Sequence, residues 1–95
     1  AGHSGQATDA ELLEVVRSDR HFFIRQEAAK RLRDPQLLKE HAQDRHIGQI
    51  LARQMRRDTD VAYLEQLLRE SRHLEVRNAA EAQLRLLKEA LRRKA

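Results

Sequence analysis

Cysteine is absent from the chain, and with it go disulfides, thiolate metal sites and a cysteine nucleophile. Tryptophan is absent too. The aromatic set is Phe22, Phe23 and Tyr63, too few to interleave with cations as single-stranded nucleic acid requires. Proline occurs once and glycine three times, two of them in the first five residues, so the interior is nearly free of helix breakers. The β-branched residues are few and scattered, which leaves little from which to build strands. No apolar run approaches the roughly 18 residues that a membrane span needs. There is no glycine-rich phosphate loop, and neither Ser18 nor Ser71 sits on a sharp glycine elbow. The expectation is a protein that is not an enzyme, carries no cofactor or metal, and suits a reducing cytoplasm.

What remains is a vocabulary of Leu, Ala, Glu, Arg and Gln, all good helix formers. Charged residues make up 36% of the 95 and apolar residues 40%, enough for one small domain with one core. The opening AGHSGQ has no apolar core of a secretion signal and reads as a vector-derived scar, so 1–7 is expected to be a disordered, tag-like segment. The domain is then 8–95.

Taken in order, Thr8 with Glu11 three residues on forms a capping box, followed by Leu12, Leu13, Val15 and Val16 at helical spacing. A helix is expected over about Asp9–Ser18, a turn at Asp19-Arg20-His21, and a second helix over Phe22–Arg33 with Ile24, Ala28 and Leu32 as its apolar stripe. Asp34-Pro35 marks the next start. A short helix at Pro35–Gln43 turns Leu37, Leu38 and Ala42 inward. After Asp44-Arg45-His46 comes a helix over Ile47–Arg57, with Ile47, Ile50, Leu51 and Met55 on one side. A further pair, Asp60–Glu70 and Leu74–Lys94, follows the same plan around the turn Ser71-Arg72-His73.

The plan is a repeat, and subtraction exposes it. A shift of 25 carries Asp9, Leu12, Leu13, Asp19, Arg20 and His21 onto Asp34, Leu37, Leu38, Asp44, Arg45 and His46. A shift of 26 carries Asp34, Leu38 and Ala42 onto Asp60, Leu64 and Leu68, and one of 52 carries Ile24, Arg25, Ala28 and Leu32 onto Val76, Arg77, Ala80 and Leu84. The units are about 8–33, 34–57 and 58–95, each with a leading (A) helix and a following (B) helix. Neither helix of a unit can bury its apolar face alone, so stacking of neighbours is expected, with three units the minimum. The fold class is all-α, a short α–α superhelix of three stacked helical hairpins.

After an Asp-containing turn, Ile24-Arg25…Ala28…Leu32 and Val76-Arg77…Ala80…Leu84 resemble HEAT-like repeats, of the short bacterial type similar to phycobilisome-lyase repeats. The resemblance covers about Asp9–Leu87. It implies a partner-binding scaffold, with occasional nucleic-acid-binding or enzyme-associated members. It also implies a ladder of Arg25 and Arg77 with Asp19 and Asp44 along the stack. The middle unit departs with Gly48-Gln49, and the third turn has Ser71 in place of Asp.

His21, His46 and His73 share one column of the repeat, but stacked helices lie roughly 8–10 Å apart, too far for one metal ion to be held at about 2 Å from each. A turn histidine that bonds a helix end or meets solvent is the ordinary account. Phe22 and Phe23 are expected to cap the core, and Tyr63 to lie buried with its hydroxyl reaching out.

Charge is the best functional clue. The net charge is +4 with histidine neutral. Each B helix carries +3, whereas the A helices carry −2, −1 and −2. Arg53, Arg56, Arg85 and Arg92 fall opposite the apolar stripes and are expected to face water. A basic surface of this kind concentrates anionic partners. The expected function is a non-catalytic protein–protein scaffold that recruits an acidic partner through Arg25, Lys30, Arg31, Arg53, Arg56, Arg57, Arg77, Arg85, Lys88 and Arg92. The alternatives are backbone-directed nucleic-acid binding by the same surface, and a regulatory or structural segment of a larger protein. Against all three stands the plain account that solvated cations keep a small domain soluble. No small-molecule substrate and no membrane are expected. The first helix has no obvious polar cap, which suggests either a piece of a longer array or self-association.

Overall fold

Thr8 opens the first helix as its capping box requires. Its hydroxyl accepts from the Glu11 N–H at 3.2 Å while the Glu11 carboxylate accepts from the Thr8 N–H at 2.9 Å. In the computed structural model, which describes residues 7–94, the elements are α1 (Asp9–Arg17), α2 (Phe22–Arg31), a 3₁₀ segment (Pro35–His41), α3 (Arg45–Gln54), a 3₁₀ turn (Asp58–Asp60), α4 (Val61–Glu70) and α5 (Leu74–Lys94). The described residues contain no strand, and the chain is all-α. Of the opening segment only Ala7 is described, and it packs against the core; the rest lies outside the described residues.

α1 packs on α2, the 3₁₀ segment on α3, and α4 on α5; α2 then packs on α3, and α3 on α5. The row α2–α3–α5 is parallel. Near the amino ends the Gln26 amide donates to the His46 carbonyl at 3.1 Å, and Gly48 faces Val76. Near the carboxyl ends the Gln83 amide donates to the Met55 carbonyl at 2.9 Å. Two helical layers give a slab whose shortest Cα extent is 17 Å.

Between the layers Val16, Leu38, Ile47, Leu51, Met55, Leu64 and Val76 are fully buried. Gly48 belongs to this packing. A Cβ there would stand 2.8 Å from the Ala42 carbonyl oxygen and 2.8 Å from Val76 Cγ2. The departure of the middle unit at Gly48 is therefore the point where α3 meets both α5 and the end of the 3₁₀ segment.

Five expectations need correction. Pro35–Gln43 is not α-helical; seven residues with a proline at the head gain too few i→i−4 bonds to repay nucleation. The segment closes instead with three-residue bonds, Ala42 N–H to Lys39 and Asp44 N–H to His41. The third helix starts at Arg45 rather than Ile47, because the Asp44 carboxylate accepts from both the His46 and Ile47 N–H groups, at 2.9 and 3.1 Å. Ile24 is not buried with Ala28 and Leu32: it is 45% exposed and Phe23 63%, since α2 seats its alanines on α1 and α3 and leaves that flank uncovered. Phe23 accordingly does not cap the core, whereas Phe22 stacks on His46 at 4.2 Å. Leu37 likewise points outward while Leu38 fills the core.

Candidate interaction surface

The parallel row brings the carboxyl ends of α2 and α3 together. Between them and the two 3₁₀ elements lies a cleft of about 580 Å³, lined by Lys30, Leu32, Arg33, Asp34, Pro35, Gln36, Gln54, Arg56, Arg57 and Asp60. Four of these are cations, gathered from two successive units. Cations in the last turn of a helix and just beyond it also complement the negative end of the helix dipole.

The two acids of the cleft are spent internally. Asp34 caps the 3₁₀ segment by accepting from the Gln36 N–H at 3.1 Å. Asp60, only 2% exposed, accepts from the Arg57 N–H at 3.0 Å, from the Gln36 amide at 3.2 Å and from the Arg57 guanidinium. Burial pushes the Asp60 carboxyl up, but these hydrogen bonds and the Arg57 charge outweigh it and hold its pKa below the ordinary value. Two of the cations are engaged as well, Arg57 by Asp60 at 3.3 Å and Lys30 by Glu27 at 3.4 Å, so the cleft is basic by number, four cations to two acids.

The ten cations singled out in the sequence do not form one surface. Lys30, Arg56 and Arg57 line the cleft, and Arg53 is exposed in the last turn of α3 without lining it. Arg25 is largely buried and donates to the Val16 carbonyl at 2.8 Å and to Asp44 at 2.7 Å. Arg77 donates to the Ser71 carbonyl at 2.7 Å. Both are internal ties. Arg31 borders a different, apolar groove on α1 and α2. On α4 and α5, Arg85, Lys88 and Arg92 are exposed but paired with Glu81, Glu65 and Glu89 at 3.3, 3.7 and 3.2 Å. Arg53, Arg85 and Arg92 face solvent as their helical positions require, and Arg56 does so from the loop beyond α3, which ends at Gln54 rather than Arg57.

Arg33 and Gln54 belong to the cleft and were not among the ten. For Arg33 the available signal is the dipeptide Arg33-Asp34, which returns as Arg57-Asp58 where the next unit begins. For Gln54 no sequence signal stands out.

Of the Arg and Asp residues that the resemblance places in a ladder, Arg25 and Asp44 form a pair. Asp44 takes Arg25 from the preceding unit, and burial, which raises its carboxyl, is outweighed by the hydrogen bond from Arg25 and those from the Ile47 and His46 N–H groups, so its pKa is lowered. Arg77 turns back to its own turn instead. The histidines serve structure, one locally and one across the fold: His21 Nδ1 accepts from the Phe23 N–H at 3.2 Å, and His73 Nε2 meets the Gln43 carbonyl at 3.0 Å. Tyr63 is half-buried, burial raises its pKa, and Lys39 lies 4.3 Å over its ring. Among the described residues no group of three His, Asp or Glu side chains could hold a metal ion, and no helix is long and apolar enough to cross a membrane. Set against known proteins, the chain matches no family model, no curated protein and no solved structure.

Proposed function

We propose that the chain is a short HEAT-like superhelix of three helical hairpins that works as a non-catalytic binding module in the cytoplasm, docking an acidic protein segment in the cleft at the carboxyl ends of α2 and α3. The observation that carries this reading is the gathering of Lys30, Arg33, Arg56 and Arg57 around one concavity whose own acids are already hydrogen-bonded. Carboxylates suit such a site, because arginine offers them two parallel donors.

Nucleic acid fits less well. A phosphate backbone needs a continuous track of cations. Beyond the cleft, the α5 cations Arg85, Lys88 and Arg92 are each engaged by a glutamate. The aromatics do not line the cleft either, which removes stacking.

The test is a fluorescence anisotropy titration with a Glu/Asp-rich peptide and, separately, duplex DNA, at roughly 50 and 200 mM salt. The peptide is expected to bind at micromolar protein, and the double variant K30E/R56E to lose at least tenfold. Absent peptide binding, or binding indifferent to that variant, overturns the reading; steeply salt-dependent binding of DNA alone transfers the surface to nucleic acid.

A further inference from the structure

The row α2–α3–α5 has two outer flanks, and both are apolar where a surface helix is ordinarily polar. Of the exposed large apolar side chains, Phe23 and Ile24 lie on α2 and Leu74 and Leu86 on α5. The α2 flank is a groove of about 420 Å³ shared with α1, with Leu12 and Ala28 buried in it and Ile24, Glu27 and Arg31 along its α2 side. The α5 flank is a shallow patch of Ala82, Arg85, Leu86 and Glu89, on the side away from the buried Val76, Ala80 and Leu87.

The two flanks match position by position. Ile24, Glu27, Ala28 and Arg31 are spaced i, i+3, i+4, i+7, the neighbours along one helical face. Ala82, Arg85, Leu86 and Glu89 have the same spacing. Laid side by side and parallel, as the second helices already lie within the chain, the faces pair Ile24 with Ala82, Glu27 with Arg85, Ala28 with Leu86 and Arg31 with Glu89. Each large apolar side chain meets a small one, and each charge meets its opposite. Helices approach to roughly 8–10 Å when ridges enter grooves in this way. The ion pairs these charges make within their own helices, Glu27 with Lys30, Arg85 with Glu81 and Glu89 with Arg92, are exposed and exchange at little cost.

We infer that a second copy of this chain is the occupant of the α1/α2 groove, seated there by the Ala82–Glu89 face of its α5. The contact is heterologous. Each copy uses one flank to receive and the other to insert, so both ends of any dimer still offer a free flank and growth continues. A contact one helix wide stands at the small end of specific interfaces, where weak and transient association is the rule, so the test covers a range of about 10–500 µM. The acidic-partner cleft lies at the carboxyl ends of the row rather than on its flanks, so this inference stands or falls independently of it.

Sedimentation velocity over about 10–500 µM protein tests the inference in the range just given. The average mass of the unmodified chain is expected to rise with concentration and pass beyond the dimer. Ile24→Asp and Leu86→Asp change exposed side chains and should leave the helical circular dichroism intact while each abolishes association. Mixed in equal amounts, the two variants should form one heterodimer that grows no further, because each supplies the flank that the other lacks. Glu27→Arg and Arg85→Glu should each weaken assembly about tenfold, and E27R/R85E should restore it. An unmodified chain that stays monomeric throughout overturns the inference. So does a mixture that fails to pair, association blocked by I24D but not by L86D (a groove-to-groove dimer), or association that begins only when residues 1–6 are removed, which would give the groove to the chain's own start.

Discussion

Arg25 joins Asp44 at 2.7 Å while its Nε donates to the Val16 carbonyl at 2.8 Å, so one side chain on α2 ties the end of α1 to the start of α3. Val16 lies in the last turn of α1, where the carbonyls have no partner within their own helix. Asp44 spends its other oxygen capping α3. The same contact therefore closes one helix, starts another and fixes how successive units sit.

Replacing Arg25 with Met keeps the bulk and removes the donors. The expected cost is about 1.5–3 kcal/mol, the range for hydrogen bonds to charged groups, because a part-buried carboxylate and carbonyl lose their partner. Lysine should recover little, since one ammonium cannot serve both acceptors at their separate angles. Urea denaturation with unchanged m-value is the measurement.

Arg25→Met and Arg56→Glu should separate the two roles that arginine plays here. The first lowers stability and leaves acidic-peptide affinity nearly intact in the folded protein. The second leaves the denaturation midpoint within about 0.5 kcal/mol, as surface substitutions do, and weakens the peptide. The reverse pattern would mean that the cleft is structural.

Acid should unfold the protein through Asp44 and Asp60. Both carboxyls have folded pKa values held below their ordinary 3.8. Such groups lend stability that is fully present above the unfolded value and is lost as pH falls through the folded one. Stability should be flat above about pH 5 and decline below about pH 4, on the linkage argument. In Asp60→Asn the decline is shallower, and the gap between variant and parent, largest near neutrality, narrows as pH drops. A gap independent of pH would mean that the Asp60 charge contributes nothing.

Gly48→Ala adds one methyl at a position where a Cβ meets a backbone oxygen and a valine methyl at 2.8 Å. Alanine favours helix by about 1 kcal/mol over glycine. Overpacking costs about 1–3 kcal/mol and the carbonyl cannot rotate away, so the variant should be destabilised despite its better propensity. The double variant G48A/V76A should regain part of the loss.

Much of the fold is legible in the residues because helical order is local. The capping box at Thr8 and Glu11, the cap at Asp34, and the buried sets Ile47, Ile50, Leu51, Met55 and Val76, Ala79, Ala80, Leu84 follow from spacing alone. Periodicity reports only which residues share a face, however. It treats Ile24 like Val76, yet Val76 is buried against α3 and Ile24 is 45% exposed, because one has a helix beside it and the other does not. It also ranks Arg25 with Arg56, though one is an internal tie and the other lines a cleft.

The sequence by itself determined that this chain is helical, where α1, α2 and α5 begin and that Arg53, Arg85 and Arg92 point outward, since those outcomes depend on contacts within about a turn of each residue. Tertiary structure alone decided that Lys30, Arg33, Arg56 and Arg57 share a concavity, that Arg25 ties α1 to α3, and that Gly48 has no room for a side chain. Each of these turns on the distance between residues far apart in the chain, which is set by how whole helices pack and leaves no period for the eye to find.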